Sequence, residues 1–311
     1  MVDVLLDDPP NGQLSERELY HRAGGFLWVS LERARNLNHT EELRTYPKRQ
    51  PQPVLRPEFV DSSAAIQGSS SPYRPSSSEY EVDFQLDDDE NDIRRCIPEA
   101  ESVNLATDLF SFIYQFCLIQ GSDLTEVRSR TQRRRATASI ANVDGITCED
   151  DGGICRVRRR RAGGWEMTNP YLALLEGKRA FKHIYIDATG KASPIISDDT
   201  LAQYLGEAVL TWRANQILRK RGVILVAVCG TFIRFVHFSF GRRYLEYLDA
   251  TTADEQKQLI GESPGDTCVT MESSKWYNLE ESGGRKAALC HLLVLPLWHE
   301  KLQHEDIHMT E

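Results

Sequence analysis

Apolar residues recur at helical spacing between 101 and 119, where Val103, Leu105, Leu109, Phe110, Ile113, Phe116 and Cys117 fall on one stripe. That period predicts a helix with one buried face. Three extended segments are expected next. Residues 125–143 are rich in Arg, Thr and Ser and alternate in places, and 154–160 alternate apolar with basic positions, as an exposed strand does. Residues 171–181 are a short apolar run that then turns charged. Turn signals separate the three: Asp144-Gly145, Asp151-Gly152-Gly153, Gly163-Gly164 and Asn169-Pro170.

A second helix follows. Ser197, Asp198 or Asp199 can cap it, and Leu201, Tyr204, Leu205, Ala208, Val209 and Trp212 recur at three and four. Its last turn is basic and Gly222 ends it. Residues 223–230 read as a fully buried strand and 231–240 as its hairpin partner. The polar stretch 251–284 leads to an apolar helix, 288–302, that Pro296 kinks or divides. Helix, three or four strands, helix, two strands and a closing helix make an α/β domain with a mixed sheet over 97–311.

The N-terminal part reads differently. One short helix is expected at 13–37, within 1–43. Ser15 and Glu18 stand at capping-box spacing and Leu19, Phe26, Leu27 and Leu31 share a face, while Gly24-Gly25 interrupts it. From 44 to 96 the chain is rich in Pro and Ser and then acidic, a composition that buries too little apolar surface to offset chain entropy. That stretch is expected to be a disordered linker, with order beginning near Ile97.

Charge sharpens this division. Residues 1–100 hold 19 acids and 11 bases, whereas residues 121–161 hold ten Arg against six acids. The overall net charge of −9 therefore does not argue against nucleic acid, because binding depends on local patches. The runs Arg133–Arg135 and Arg158–Arg161 are equally consistent with a solvated strand face or a nuclear-import signal. No run of 18 apolar residues is present, so no membrane span is expected. The opening MVDVLLDDPPNG has neither the basic start nor the apolar stretch of a secretory signal. The seven cysteines contain no CxxC pair, which suits a reduced intracellular chain, nuclear or cytoplasmic.

Candidate chemistry lies at the end of 171–178. Glu176 and Lys178, two apart on a strand, project to one face. Glu255-Gln256-Lys257 repeats the E-x-K pattern in a polar stretch, where a solvated pair is the natural reading. After an apolar strand, two charges cost energy unless paired or bound to a ligand. Metal-dependent phosphodiester hydrolysis uses carboxylates for a hard cation and a positive charge near the scissile phosphate. Glu176 and Lys178 supply one of each. Asp144 and Asp151, 32 and 25 residues earlier, are candidates for a second carboxylate. Asp144, at the start of a strand, is slightly favoured, because Asp151 is also explained as a turn residue. His183, His237 and His291 lack ligand spacing, and Phe232, Phe235, Phe238 and Phe240 read as strand packing. Cys229 has no neighbouring base. Walker A and GxGxxG loops are absent.

These residues resemble the PD-(D/E)XK nuclease superfamily. The stretches NPYLALLEGKRAFKH, LAQYLGEAVLTWRAN and GTFIRFVHF are similar to uncharacterised fungal members of it. The resemblance covers 97–250. It implies a restriction-endonuclease-like mixed sheet flanked by helices. It also implies Mg2+ or Mn2+ held by Asp144 and Glu176, Lys178 orienting the attacking water or stabilising the phosphorane, and Gln203 from the following helix. An acid of the first helix would be Glu101 or Asp108. Val143 stands where Pro is usual before the Asp, and the Asp-to-Glu gap requires an extra hairpin. The expected function is hydrolysis of phosphodiester bonds in DNA or RNA. The alternative is an inactive module of the same fold that binds nucleic acid or protein.

Overall fold

The structure, a computed structural model, describes residues 2–7, 9, 14–40, 89–120, 124–178, 184–186 and 192–308. Three helices come first: α1 (Val2–Leu6), α2 (Glu16–Tyr20) and α3 (Gly25–Thr40). Helix α4 (Asp89–Phe112) runs on into a π turn, Ile113–Cys117. Then follow β1 (Thr125–Arg130), β2 (Arg135–Ile140), β3 (Val143–Glu149), β4 (Gly152–Arg159), β5 (Trp165–Lys178), β6 (Ile184–Ile186) and β7 (Ala192–Pro194). Helix α5 (Asp198–Ala214) precedes β8 (Val223–Cys229) and β9 (Phe232–Phe240). The chain continues through α6 (Tyr244–Asp249), α7 (Ala253–Glu262), β10 (Val269–Ser273), β11 (Tyr277–Asn278) and α8 (Ser282–His308).

The main sheet runs β1-β4-β5-β8-β9-β10, with β11 also on β9. Only the β5–β8 pair is parallel. Parallel neighbours need a crossover, and α5 lies in it. Ser197 starts that helix, its Oγ accepting from Thr200 N at 3.2 Å. Gly222, at φ +73°, turns the chain into β8 in a conformation side-chain-bearing residues resist. β8 alternates cleanly: Val226 and Val228 pack with α4 and α8, while Leu225 and Ala227 pack against Tyr204, Ala208 and Trp212 of α5. The result is a mixed, mostly antiparallel sheet between two helical layers.

Several expectations need correction. Residues 125–143 do not form one strand: β1 joins the main sheet, and β2 pairs with β3 in a separate hairpin. The single helix expected at 13–37 is two, split at 21–24. The Ser15–Glu18 capping box is present, with Ser15 N donating to Glu18 at 2.8 Å. Order does not begin at Ile97. Helix α4 starts at Asp89, and the first forty residues contribute Leu5, Leu19, Leu27 and Leu31 to the main core. Residues 44–88 of the expected linker lie outside the described residues. The polar stretch 251–284 contains α7, β10 and β11.

Pro296 does not divide α8. A proline at 296 removes the N–H that would bond the carbonyl of residue 292. The Tyr114 hydroxyl donates to Leu292 O at 3.0 Å, so that buried acceptor remains satisfied.

Candidate functional site

Leu172 to Leu175 of β5 are all buried, and the strand ends in Glu176-Gly177-Lys178. Glu176 is only 3% exposed. Charges reach this depth because they bond one another. Lys178 Nζ donates to Glu176 Oε1 and, at 2.7 Å, to Gln203 Oε1. Gln203, one turn into α5, donates its amide to Glu176 Oε1 and to Glu207 Oε1, the latter at 3.0 Å. The Tyr204 ring lies 6.0 Å from the ammonium. The structure thus brings together Glu176, Lys178 and Gln203, and adds Glu207.

Glu207 was missed in the sequence reading, although it stands one helical turn after Gln203. Its Oε2 is buried with no hydrogen-bond partner. Burial pushes the carboxyl groups of Glu176 and Glu207 well above the usual carboxylate range, and the charge of Glu176 raises Glu207 further, while Lys178 pulls both back down. The ring hydroxyl of Tyr204 is raised by burial as well.

Of the two Asp candidates, Asp151 is the one that stands at this site. It occupies the bend before β4, and β4 runs antiparallel to β5, so the start of one strand meets the end of the other. Asp151 N donates to Leu175 O and Asp151 Oδ2 accepts from Gly177 N, each at 3.0 Å. Its charge helps raise Glu176. Asp144, favoured from the sequence, is exposed near the tip of the β2–β3 hairpin. The adjoining residues Ala141 and Asn142 bond to Leu248 and Thr251, and nothing brings Asp144 to Glu176. The two Asp-Gly turns look alike locally, and strand register separates them.

Gly177 allows α4 to approach. A Cβ there would stand 2.5 Å from Val103 Cγ2. Beside it, buried Ser102 donates to Lys178 O at 3.3 Å and accepts from Gly230 N at 2.9 Å. The acids expected from this helix point elsewhere. Asp108 accepts from Ser30 Oγ of α3, and Glu101 acts electrostatically on Arg33 and Asp108.

The two arginine runs separate. Arg133 pairs with Asp151 Oδ1 at 3.0 Å and is 61% exposed, so the first run borders the site. The second run lies at the far end of β4, roughly 25 Å away at strand rise, and Arg158 and Arg160 there share Glu166.

Other residues keep structural roles. Phe232, Phe235 and Phe238 are buried packing, and Phe235 stacks on His291 at 4.7 Å. Burial pushes the Cys229 thiol up to about 12, which leaves it a poor nucleophile. His183 lies outside the described residues.

No cluster of three or more His, Cys, Asp or Glu suited to a metal occurs among the described residues. Besides the carboxyl of Glu207, the site offers the carboxylates of Asp151 and Glu176, whose mutual repulsion a cation would relieve, a donor type suited to a hard ion that keeps several waters. No described helix is long and apolar enough to cross a membrane. Compared with family models, curated proteins and solved structures, the chain matches none.

Proposed function

We propose that the chain is a metal-dependent nuclease of PD-(D/E)XK type that hydrolyses phosphodiester bonds in nucleic acid. The observation that carries this reading is the meeting of Asp151, at the start of β4, with Glu176 and Lys178, at the end of β5, through the Gly177–Asp151 bond. Helix α4, strands β1, β4 and β5, crossover helix α5 and parallel strand β8 follow in the order expected of a restriction-endonuclease-like core. With Asp151 as the Asp, the stretch to Glu176 is 25 residues, and the β2–β3 hairpin precedes Asp151 instead of lying between the two.

Asp151 and Glu176 would hold Mg2+ or Mn2+. When bound, that ion supplies Lewis-acid stabilisation of the phosphate and a more acidic water. Lys178, positioned by Gln203, places a positive charge where negative charge develops on the phosphoryl oxygens. Arg133 stands at the exposed side of Asp151, where it meets an incoming phosphate. The β5 strand and α5 exclude bulk water from Glu176, which strengthens each of these interactions.

A second reading has its own observation. Each carboxylate already holds a protein cation, Arg133 on Asp151 and Lys178 on Glu176, as in a module that binds without chemistry. Incubating the full chain with single- and double-stranded DNA and RNA in Mg2+ or Mn2+, beside Lys178→Ala, decides between them. Metal-dependent cleavage that falls at least about 100-fold in the variant is the expected result. Salt-dependent retention of nucleic acid with no cleavage selects the binding module.

A further inference from the structure

Strand alternation sorts the arginines at the far end of β4 into two sets. In the register, Arg158 pairs with Glu166 and Arg159 with Trp165, and cross-strand partners point to one face. Arg158 and Arg160 share Glu166, and Arg156 reaches Glu300 of α8, so this set has its own acids. Arg159 lies on the opposite face with Trp165. It is exposed, and no carboxylate pairs with it among the described residues.

That face carries a row of cations and apolar groups leading back to the site. Trp165 and Met167, two apart on β5, project together. The Arg128 guanidinium carbon lies 4.3 Å from the Trp165 ring centre, and Glu126 holds that arginine at 2.6 Å. Arg134 donates to Met167 Sδ at 3.4 Å and lies 5.7 Å from the Tyr171 ring. No carboxylate pairs with the Arg134 side chain among the described residues. Tyr171 packs against the cluster that contains Leu174, and Leu174 shares its face with Glu176. Arg133, next to Arg134 in the chain, pairs with Asp151 at the site. From Asp151 to Arg159 the row is roughly 25 Å long at strand rise, about seven base steps of nucleic acid. It is open to solvent: the Arg128 side chain is 40% exposed and Met167 36%. Helix α5 packs on β8 and on the β2–β3 hairpin instead.

We infer that Arg134 and Arg159 bind separate phosphates of the nucleic-acid backbone where it runs on from the site, over the surface that Tyr171, Met167 and Trp165 form between them. This deepens the phosphodiester reading and rests on it. The two guanidinium groups have no acid to give up, so a phosphate displaces only counterions there, whereas Arg158 and Arg160 would first have to release Glu166. Cations interleaved with rings match a strand that alternates phosphate with sugar and base, a match that an acidic peptide lacks. Single strands and duplexes share the phosphate chemistry, and the test separates them.

The test uses the full chain in EDTA, so that binding is read without cleavage. Fluorescence anisotropy follows the affinity for a dodecamer, as single strand and as duplex, across a range of salt. The logarithm of affinity falls linearly with that of salt, with a slope of about 0.7 per phosphate contacted on a single strand and about 0.9 on a duplex. Arg134→Gln and Arg159→Gln each lower the slope by that amount, and Arg159→Lys restores it. The form that shows the drop is the form the row carries. Arg17→Gln removes the same charge from an exposed position of α2, in the helical layer across the sheet, and leaves the slope unchanged. Wild-type slopes in both Arg134→Gln and Arg159→Gln overturn the row, as does an equal drop in Arg17→Gln. Polyglutamate of equal charge bound as tightly as the dodecamer overturns the nucleic-acid assignment. Lys178-dependent cleavage with wild-type slopes in the arginine variants removes the row and keeps the hydrolysis. Lowered slopes in a protein that never cleaves keep the row and remove the hydrolysis.

Discussion

The backbone N–H of Gly177 donates to Asp151 Oδ2 at 3.0 Å, so the central residue of Glu-Gly-Lys fixes the carboxylate that begins the neighbouring strand. This bond separates Asp151 from Asp144. Asp151→Asn keeps an oxygen for the Gly177 N–H but loses the charge, so metal-dependent activity falls about 100-fold or more while the fold survives. Asp144→Asn, on the exposed hairpin, changes activity by less than about twofold. Cleavage rates at saturating Mn2+ check this, and equal losses at the two positions would remove Asp151 from its special place.

The same glycine sets a packing limit. In Gly177→Ala the new methyl group meets Val103 Cγ2 at 2.5 Å, and α4 must move away from β5. That overpacking costs about 1–3 kcal/mol. Val103→Ala removes the obstructing atom, after which the nearest remaining neighbours, Asp151 Oδ2 and Glu99 O, stand at 3.4 and 3.5 Å. The double variant is therefore more stable than the sum of the two single losses implies. Urea unfolding of all four proteins reads the coupling, and strict additivity would show that α4 does not press on Gly177.

Much of the centre was legible because local pattern and tertiary role agree there. Glu176 and Lys178 stand out as charges ending an apolar strand, and Gln203 lies on a helix whose Ser197 cap and apolar period are plain in the chain. Asp151 was harder, since its promotion depends on β4 meeting β5 in antiparallel register, a long-range fact. Glu207 looked like any glutamate on a helix, and only the sheet beneath it makes it buried. The N-terminal helices were undervalued for a related reason. They are short and broken at Gly24, and their apolar residues acquire meaning only against α4 and α8. Pro296 signalled a helix break because the Tyr114 hydroxyl that compensates for it lies 178 residues away in sequence.

Glu207 gives the site a pH signature in stability. Its folded-state carboxyl is raised, chiefly by burial and then by Glu176. A raised group stabilises the native state below its unfolded value, and that contribution fades as pH climbs from the ordinary carboxylate range toward the folded value. Each pH unit in that window removes at most about 1.4 kcal/mol. Glu207→Gln abolishes this titration and keeps a hydrogen-bonding group beside Gln203. Its stability relative to wild type therefore rises between pH 5 and pH 8. Thermal melts across that range check the trend, and a constant difference would mean that Glu207 is charged throughout.

Arg285 ties the first helix to the rest of the domain. It is 1% exposed, and it donates to the carbonyls of Leu5, Leu279 and Glu280, each at 2.8 Å, and to Asp7 O. Its guanidinium also lies 5.3 Å from the Trp28 ring centre. Arg285→Met fills similar space but strands buried acceptors, each at a cost of about 1–3 kcal/mol. Leu5→Ala empties a fully buried position and costs about 2–5 kcal/mol. Both act on the docking of α1, so once one variant has released it the other loses less. Combined, the two changes destabilise by less than their sum. Urea midpoints for the single and double variants measure this. Full additivity would mean that α1 stays docked without its arginine, and no loss in either single variant would mean that the first helix contributes nothing to the core.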